Sequence, residues 1–171
     1  MNLRFKNYWR KSSLKKNRDG DFLLEHIKKN KPKNFLEIGV FHGVTSRNVC
    51  ELLKSLHGEN FKFTGIDLFE KDQMILDKEV APKTKFSNPF KNIFYNYISR
   101  TNPYSFKSVS NLLRKFKYNV NIIKGDSNII LKDMSEKLFD YVFLDGGHSY
   151  KTVKNDLNNL LPVITNNGIV I

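Results

Sequence analysis

Phe35-Leu36-Glu37-Ile38-Gly39-Val40-Phe41-His42-Gly43-Val44-Thr45-Ser46 is the stretch that decides the fold. An apolar run of strand length meets two glycines, and a helical pattern follows: Val49, Leu52, Leu53 and Leu56 fall at i, i+3, i+4 and i+7, with Gly58 as a stop. The glycines permit a tight turn, and the first turn of the helix behind them has unbonded N–H groups, so a ligand can approach bare backbone. Gly39 and Gly43 do not make the G-x-G-x-x-G fingerprint of a nicotinamide site. Glu37 adds to the signal, because a charge entering the top of a buried strand is costly unless it meets donors or a ligand.

The same alternation extends outward. Short, mostly apolar runs at 35–40, 62–69, 120–124, 141–144 and 169–171 read as buried parallel strands, and helical patterns separate them. Phe106, Val109, Leu112, Leu113 and Phe116 predict a helix before the third strand, with Asn102-Pro103 as its cap and first turn. Val153, Leu157, Leu160 and Leu161 predict one after the fourth, ended by Pro162. Upstream, Phe22, Leu23, His26 and Ile27 predict a short helix that Lys31-Pro32-Lys33 breaks. The fold class is therefore α/β, with a doubly wound, Rossmann-like, mostly parallel sheet. Residues 1–33 read as a basic leader and helix, and 34–171 as the main domain. Residues of about 70–101 are too long for a βα loop, and Phe86, Phe90, Phe94, Tyr95 and Tyr97 make them an aromatic insertion. Two roles fit it: an extra helix covering the sheet, or a lid over a pocket.

Four acids then fall at four successive strand ends. Asp67 closes Phe63-Thr64-Gly65-Ile66-Asp67-Leu68, where a doubly wound fold places an acid for ribose hydroxyls; a helix cap is the plainer role. Asp126 closes Ile122-Ile123-Lys124-Gly125-Asp126-Ser127, where capping the next short helix is the competing role. Asp145 and His148 sit in Leu144-Asp145-Gly146-Gly147-His148-Ser149-Tyr150, a combination that no packing rule demands. With Glu37, these acids converge on the rim of the sheet where open α/β folds bind ligands.

Composition narrows the class further. Hydrophobic residues at 40% and charged residues at 27% suit a globular domain, and no apolar run approaches the ~18 residues of a membrane span. The absence of a signal-peptide pattern and the lone Cys50 point to the cytoplasm. The net charge of +12 raises the question of nucleic acid, but it comes from 23 Lys against 6 Arg, beside 20 Asn, and base recognition leans on the Arg fork. The densest run, Arg10-Lys11-Ser12-Ser13-Leu14-Lys15-Lys16-Asn17-Arg18, reads either as a frayed solvated leader or as a contact for an anionic partner.

On these residues the sequence resembles the class I S-adenosylmethionine-dependent methyltransferases. The E-x-G-x-x-x-G turn at Glu37, Gly39 and Gly43 is similar to their first motif, and Asp145-Gly146-Gly147-His148-Ser149-Tyr150 resembles the D-G-x-H-S-Y signature of small-molecule O-methyltransferases related to the macrocin, mycinamicin and cephalosporin-pathway enzymes. The resemblance implies that Glu37, Gly39, Gly43, Thr45 and Ser46 hold the methionine end of the cofactor, Asp67 and Leu68 the ribose, and Asp126 and Ser127 the adenine side. It further implies methyl transfer to a hydroxylated small-molecule acceptor, with a non-catalytic or truncated cofactor-binding module and a nucleic-acid methyltransferase as the alternatives, and His148 as general base and Asp145 as a catalytic acid ligating magnesium. Members of that branch carry a further acidic pair beyond the fifth strand, so the resemblance implies an incomplete metal site and a C-terminally incomplete fold in a sequence ending at Asn167-Gly168-Ile169-Val170-Ile171. A bare edge strand and the aromatics imply association between copies.

Overall fold

The strand at Asn34–Ile38 (β1) buries nearly all of its length, and its side chains alternate between two apolar layers. Phe35 enters one layer with Leu23, Ile27, Val49, Leu53, Phe63, Val109 and Tyr141, whereas Leu36 and Ile38 enter the other with Ile66, Leu131, Val142 and Leu160. In the first layer the Phe35 ring stacks on Phe63 at 5.6 Å and on Tyr141 at 5.1 Å. Each fully buried ring of this kind contributes roughly 1.5–3 kcal/mol through its burial.

The computed structural model describes residues 4–5, 10–16, 18–69, 88–134 and 136–171. Within them β1, Lys62–Asp67 (β2), Val120–Lys124 (β3), Phe139–Leu144 (β4) and Ile164–Val170 (β5) form one sheet in the order β3-β2-β1-β4-β5, every neighbouring pair parallel. Parallel neighbours need crossovers, and helices supply them on both faces. Asp19–Asn30 (α1), Val44–His57 (α2) and Phe106–Leu113 (α4) pack on the first layer; Ser127–Ile130 (α5) and Tyr150–Leu160 (α6) border the second. The chain moves outward from β1 to β3 and then returns to place β4 beside β1. The carboxyl ends of β1 and β4 therefore flank the point where strand order reverses, the place where such sheets open a crevice.

Several details depart from the sequence pattern. The cap of α4 is Ser105, whose Oγ accepts from the Ser108 N–H at 3.2 Å, whereas Asn102 accepts from the Tyr104 N–H in a separate turn. In α6 the inward positions are Asp156 and Leu160, while Leu157 and Leu161 face solvent, because the polar partner Ser127 of α5 draws Asp156 inward. β5 starts at Ile164 rather than Ile169, with a register irregularity that sets Ile164 opposite Phe139 and Ile169 opposite Tyr141. Of the aromatic insertion, residues 70–87, including Phe86, lie outside the described residues. Its remainder forms a short helix at Pro89–Ile93 (α3) running into a π-turn at Phe94–Ile98, which buries Tyr95 and exposes Phe90 and Tyr97.

Candidate active site

Gly39 and Phe41 bend the chain away from β1. Gly39 has φ +93°, and a Cβ there would lie 2.1 Å from the Asp145 carbonyl oxygen, so only glycine lets the ends of β1 and β4 touch. The Gly39 N–H donates to the Ile66 carbonyl at 2.9 Å and the Asp145 N–H to the Ile38 carbonyl at 2.9 Å, locking the three strand ends together. Gly43, at φ +71°, then caps α2.

Asp67 organises the next layer. Its Oδ2 accepts from the Phe41 N–H at 2.8 Å, and its Oδ1 from the Phe69 N–H and the Tyr104 hydroxyl, each at 2.8 Å. Phe41 and Phe69 have φ of 49° and 52°, a left-handed conformation that costs bulky residues roughly 1–3 kcal/mol. A single carboxylate thus holds two strained turns in place. Strain of this kind persists where surrounding contacts over-determine it.

These strand ends line a cavity of about 610 Å³. Gly39, Thr45, Asp67, Leu68, Asp126 and Ser127 line it among the residues that the sequence singled out for the cofactor, and Asp145 and His148 line it as well. Glu37, Gly43 and Ser46 do not. The Glu37 side chain is buried behind the wall, where Oε2 accepts from the Ser46 hydroxyl at 2.5 Å and Oε1 has no partner. Burial pushes its carboxyl well above the usual range, against the Ser46 bond. Gly43 packs on Val109 and Leu112. Asp126 both lines the cavity and caps α5, accepting from the Asn128 N–H at 2.8 Å. Ser127 donates to Asp156 at 2.7 Å.

Sequence reasoning did not find Tyr104, or Lys11, Ser12, Ser13 and Lys15 of the N-terminal strap, as parts of the wall. The Arg10 guanidinium donates to the carbonyls of His42 (2.9 Å), Ser108 (3.1 Å) and Pro103 (3.3 Å). The Lys11 N–H donates to His42 Nδ1 at 2.8 Å, Ser12 and Thr45 share a hydroxyl bond at 3.2 Å, and the Ser13 hydroxyl donates to Asp145 Oδ2 at 2.9 Å. Burial raises the Asp145 carboxyl above its ordinary pKa, while the Ser13 bond and His148 pull the other way. The density of basic residues was the only sequence signal for this strap.

Among the described residues no three His, Cys, Asp or Glu side chains come together as a metal site. Asp145 and His148 alone fall short of the oxygen set that a hard cation takes. The residues present do not fit a magnesium ion.

A family described as a methyltransferase domain matches residues 36–171. The chain belongs to that methyltransferase-domain family. No curated protein matches it in sequence. Solved structures similar to this methyltransferase domain include a protein provisionally assigned as a caffeoyl-CoA O-methyltransferase from Staphylococcus aureus, with 18% identity, a TM-score of 0.55, and coverage of 90% of this chain and 56% of that one. Another is the SAH-bound methyltransferase PaMTH1 of Podospora anserina, with 18% identity, a TM-score of 0.54, and coverage of 89% and 50%. A third is the O-methyltransferase TomG of Streptomyces achromogenes, involved in tomaymycin synthesis and solved with SAM, with 16% identity, a TM-score of 0.54, and coverage of 90% and 53%. At these identities the likeness concerns the fold. The methyltransferase domain spans about half the length of these structures. Among its described residues no helix is long and apolar enough to cross a membrane.

Proposed function

We propose that this chain uses S-adenosylmethionine to methylate a hydroxyl oxygen of a small molecule. The observation that carries the reading is Asp67: an acid at the carboxyl end of β2, held rigid by three donors, on the wall of a cavity at the reversal point of a parallel sheet. Oδ1 already accepts two bonds, whereas Oδ2 accepts one and has acceptor capacity left for a ribose hydroxyl. On this reading Gly39 and Thr45 face the amino-acid end, with Glu37, Gly43 and Ser46 supporting that turn from behind, and Leu68, Asp126 and Ser127 face the base. When bound, S-adenosylmethionine supplies an electrophilic sulfonium methyl. The chain's own contribution is to hold the acceptor in line and to exclude water. On this reading His148, which lines the wall with Asp145, takes the hydroxyl proton. The solved O-methyltransferases of the same fold support transfer to oxygen. No step runs through a metal.

The test is calorimetric titration of S-adenosylhomocysteine into the purified chain and into Asp67→Asn. Asn keeps the shape of the carboxylate but loses the charge-assisted bonds to the ribose, worth roughly 1.5–3 kcal/mol, so affinity is expected to fall roughly ten- to 150-fold. Equal affinity in the two folded proteins would refute the ribose assignment, and no binding by the folded parent would refute the cofactor.

A further inference from the structure

Acidic residues are unevenly spread along the chain. Residues 88–125 hold seven Lys or Arg and no Asp or Glu, and Glu51 offsets one of the seven, Lys115, at 3.1 Å. Near the start of that stretch lies the helical piece 89–98, made of α3 and the π-turn, and Asn88 caps it by accepting from the Phe90 N–H at 2.8 Å. Tyr95 is its buried contact with the domain, and the Thr101 N–H closes the turn by donating to the Tyr95 carbonyl at 3.0 Å.

The outer face of this piece is apolar. Phe90, Ile93 and Tyr97 stand at i, i+3 and i+7 with Ile98 beside Tyr97, and each is between 49% and 74% exposed. Single exposed apolar side chains are ordinary on a globular surface, but a stripe of large ones marks a surface that meets something. The charge around the stripe names the partner. Lys91 lies within the piece and Arg100 just beyond it, in a stretch without acids and a chain of net charge +12. An apolar helix face with basic flanks is complementary to an anionic lipid surface: the apolar side chains enter the boundary between headgroups and acyl chains, and the cations meet the headgroups. Single-stranded nucleic acid fits less well, because Ile93 and Ile98 present no flat face on which a base can stack. The piece has a reach of about 15 Å, half of a bilayer's hydrocarbon core, which suits lying on a lipid surface rather than crossing one.

We infer that the helical piece 89–98 docks the protein on anionic lipid surfaces, with Phe90, Ile93, Tyr97 and Ile98 entering the bilayer boundary and the acid-free stretch 88–125 supplying the attraction. The inference is independent of the function proposed above.

The test is flotation of the full chain with vesicles of phosphatidylcholine alone and of phosphatidylcholine and phosphatidylglycerol in equal parts. Binding to the anionic vesicles is expected to be about tenfold or more tighter than to the neutral ones, since each cation near the surface is worth about fivefold, and the advantage should shrink with added salt. Phe90→Ser/Ile93→Ser/Tyr97→Ser keeps the net charge and removes most of the stripe, so its affinity for the anionic vesicles is expected to fall about tenfold or more. Leu161→Ser, at an exposed apolar residue after α6, is expected to bind as the parent does. Melting curves verify that both variants fold, and a measurement on the parent needs no variant: vesicles are expected to slow amide hydrogen exchange in 89–98. No binding by the parent overturns the inference, as does equal binding to neutral vesicles. Affinity kept by the folded triple variant, or lost equally in Leu161→Ser, overturns it by leaving net charge or general stickiness as the cause. Vesicle protection of other segments but not of 89–98 overturns it as well. Capture of single-stranded RNA through the same three side chains, without vesicle binding, overturns it in favour of a nucleic-acid contact.

Discussion

Acidification is expected to destabilise the chain through His42, by an amount that the structure sets. The ring is 1% exposed, its Nδ1 accepts the Lys11 N–H at 2.8 Å, and it lies on Phe41 with centroids 3.8 Å apart. Burial first, then the charges of Arg10 and Lys11, push its pKa from 6.5 down to about 3. The native ring is neutral and carries its proton on Nε2, since a proton on Nδ1 would face the Lys11 N–H donor to donor. A depressed folded pKa gives stability that is complete above 6.5 and is lost as pH falls toward 3. At 1.36 kcal/mol per pKa unit the whole span is worth about 5 kcal/mol, of which about 2 kcal/mol is lost between pH 7 and pH 5. Against a typical domain stability of about 5–15 kcal/mol this is a large share. Urea unfolding of the parent and of His42→Gln at pH 7, 6 and 5 isolates it, because Glu37 and Asp145 titrate in both proteins and cancel. The parent's advantage over the variant is expected to shrink by about 2 kcal/mol over that range. Parallel pH dependences would refute the neutral, buried imidazole.

Three further outcomes are expected. Burial raises the Glu37 carboxyl above its ordinary range, and an acid with a raised folded pKa loses stability as pH rises from its unfolded value through its folded one; Glu37→Gln should therefore gain on the parent as pH rises above the ordinary carboxylate range, and a stability difference that stays constant with pH in denaturant titrations would contradict the raised carboxyl. Gly39→Ala should cost more than about 3 kcal/mol, because the Asp145 carbonyl occupies the space of the new Cβ, and a melting temperature equal to the parent's would contradict that contact. Arg10→Ala leaves three carbonyls without their donor and should both lower stability by roughly 1.5–3 kcal/mol and speed tryptic cleavage within 10–18; unchanged cleavage would mean that the strap is held by other contacts.

The architecture was legible because β1, its glycine turn and α2 obey period rules that tertiary context reinforces: Phe35 and Leu36 alternate, and Val49 and Leu53 repeat on one helical face. The positions of Asp67, Asp126 and Asp145 at strand ends follow from the same rules. The partners of Asp67 do not. Two of them are N–H groups of aromatic residues at positive φ, a conformation against which every local propensity argues, and the third is Tyr104, 37 residues on. The strap was hidden for a related reason. Charge density alone predicts solvation, and Arg10 finds its carbonyls 32 to 98 residues away. The inward face of α6 was misjudged where a polar pair, Ser127 and Asp156, outweighed the apolar stripe of Leu157 and Leu161.

The two halves of the cavity are built on different principles. The half around Asp67 is closed by local strain and by backbone donors, so it depends little on side-chain identity beyond the acid, Tyr104 and the glycine. A ligand that meets it finds acceptors already oriented, and the cost of ordering them falls on folding rather than on binding. The half around Asp145 and His148 meets a separate piece of chain through one bond, from Ser13 to Asp145, while Arg10 and Ser12 anchor that piece at His42, Pro103, Ser108 and Thr45. On the proposed reading, a rigid ribose end is therefore paired with a wall at Asp145 that a single hydroxyl bond ties to the strap, the part of the chain that sequence periodicity describes least.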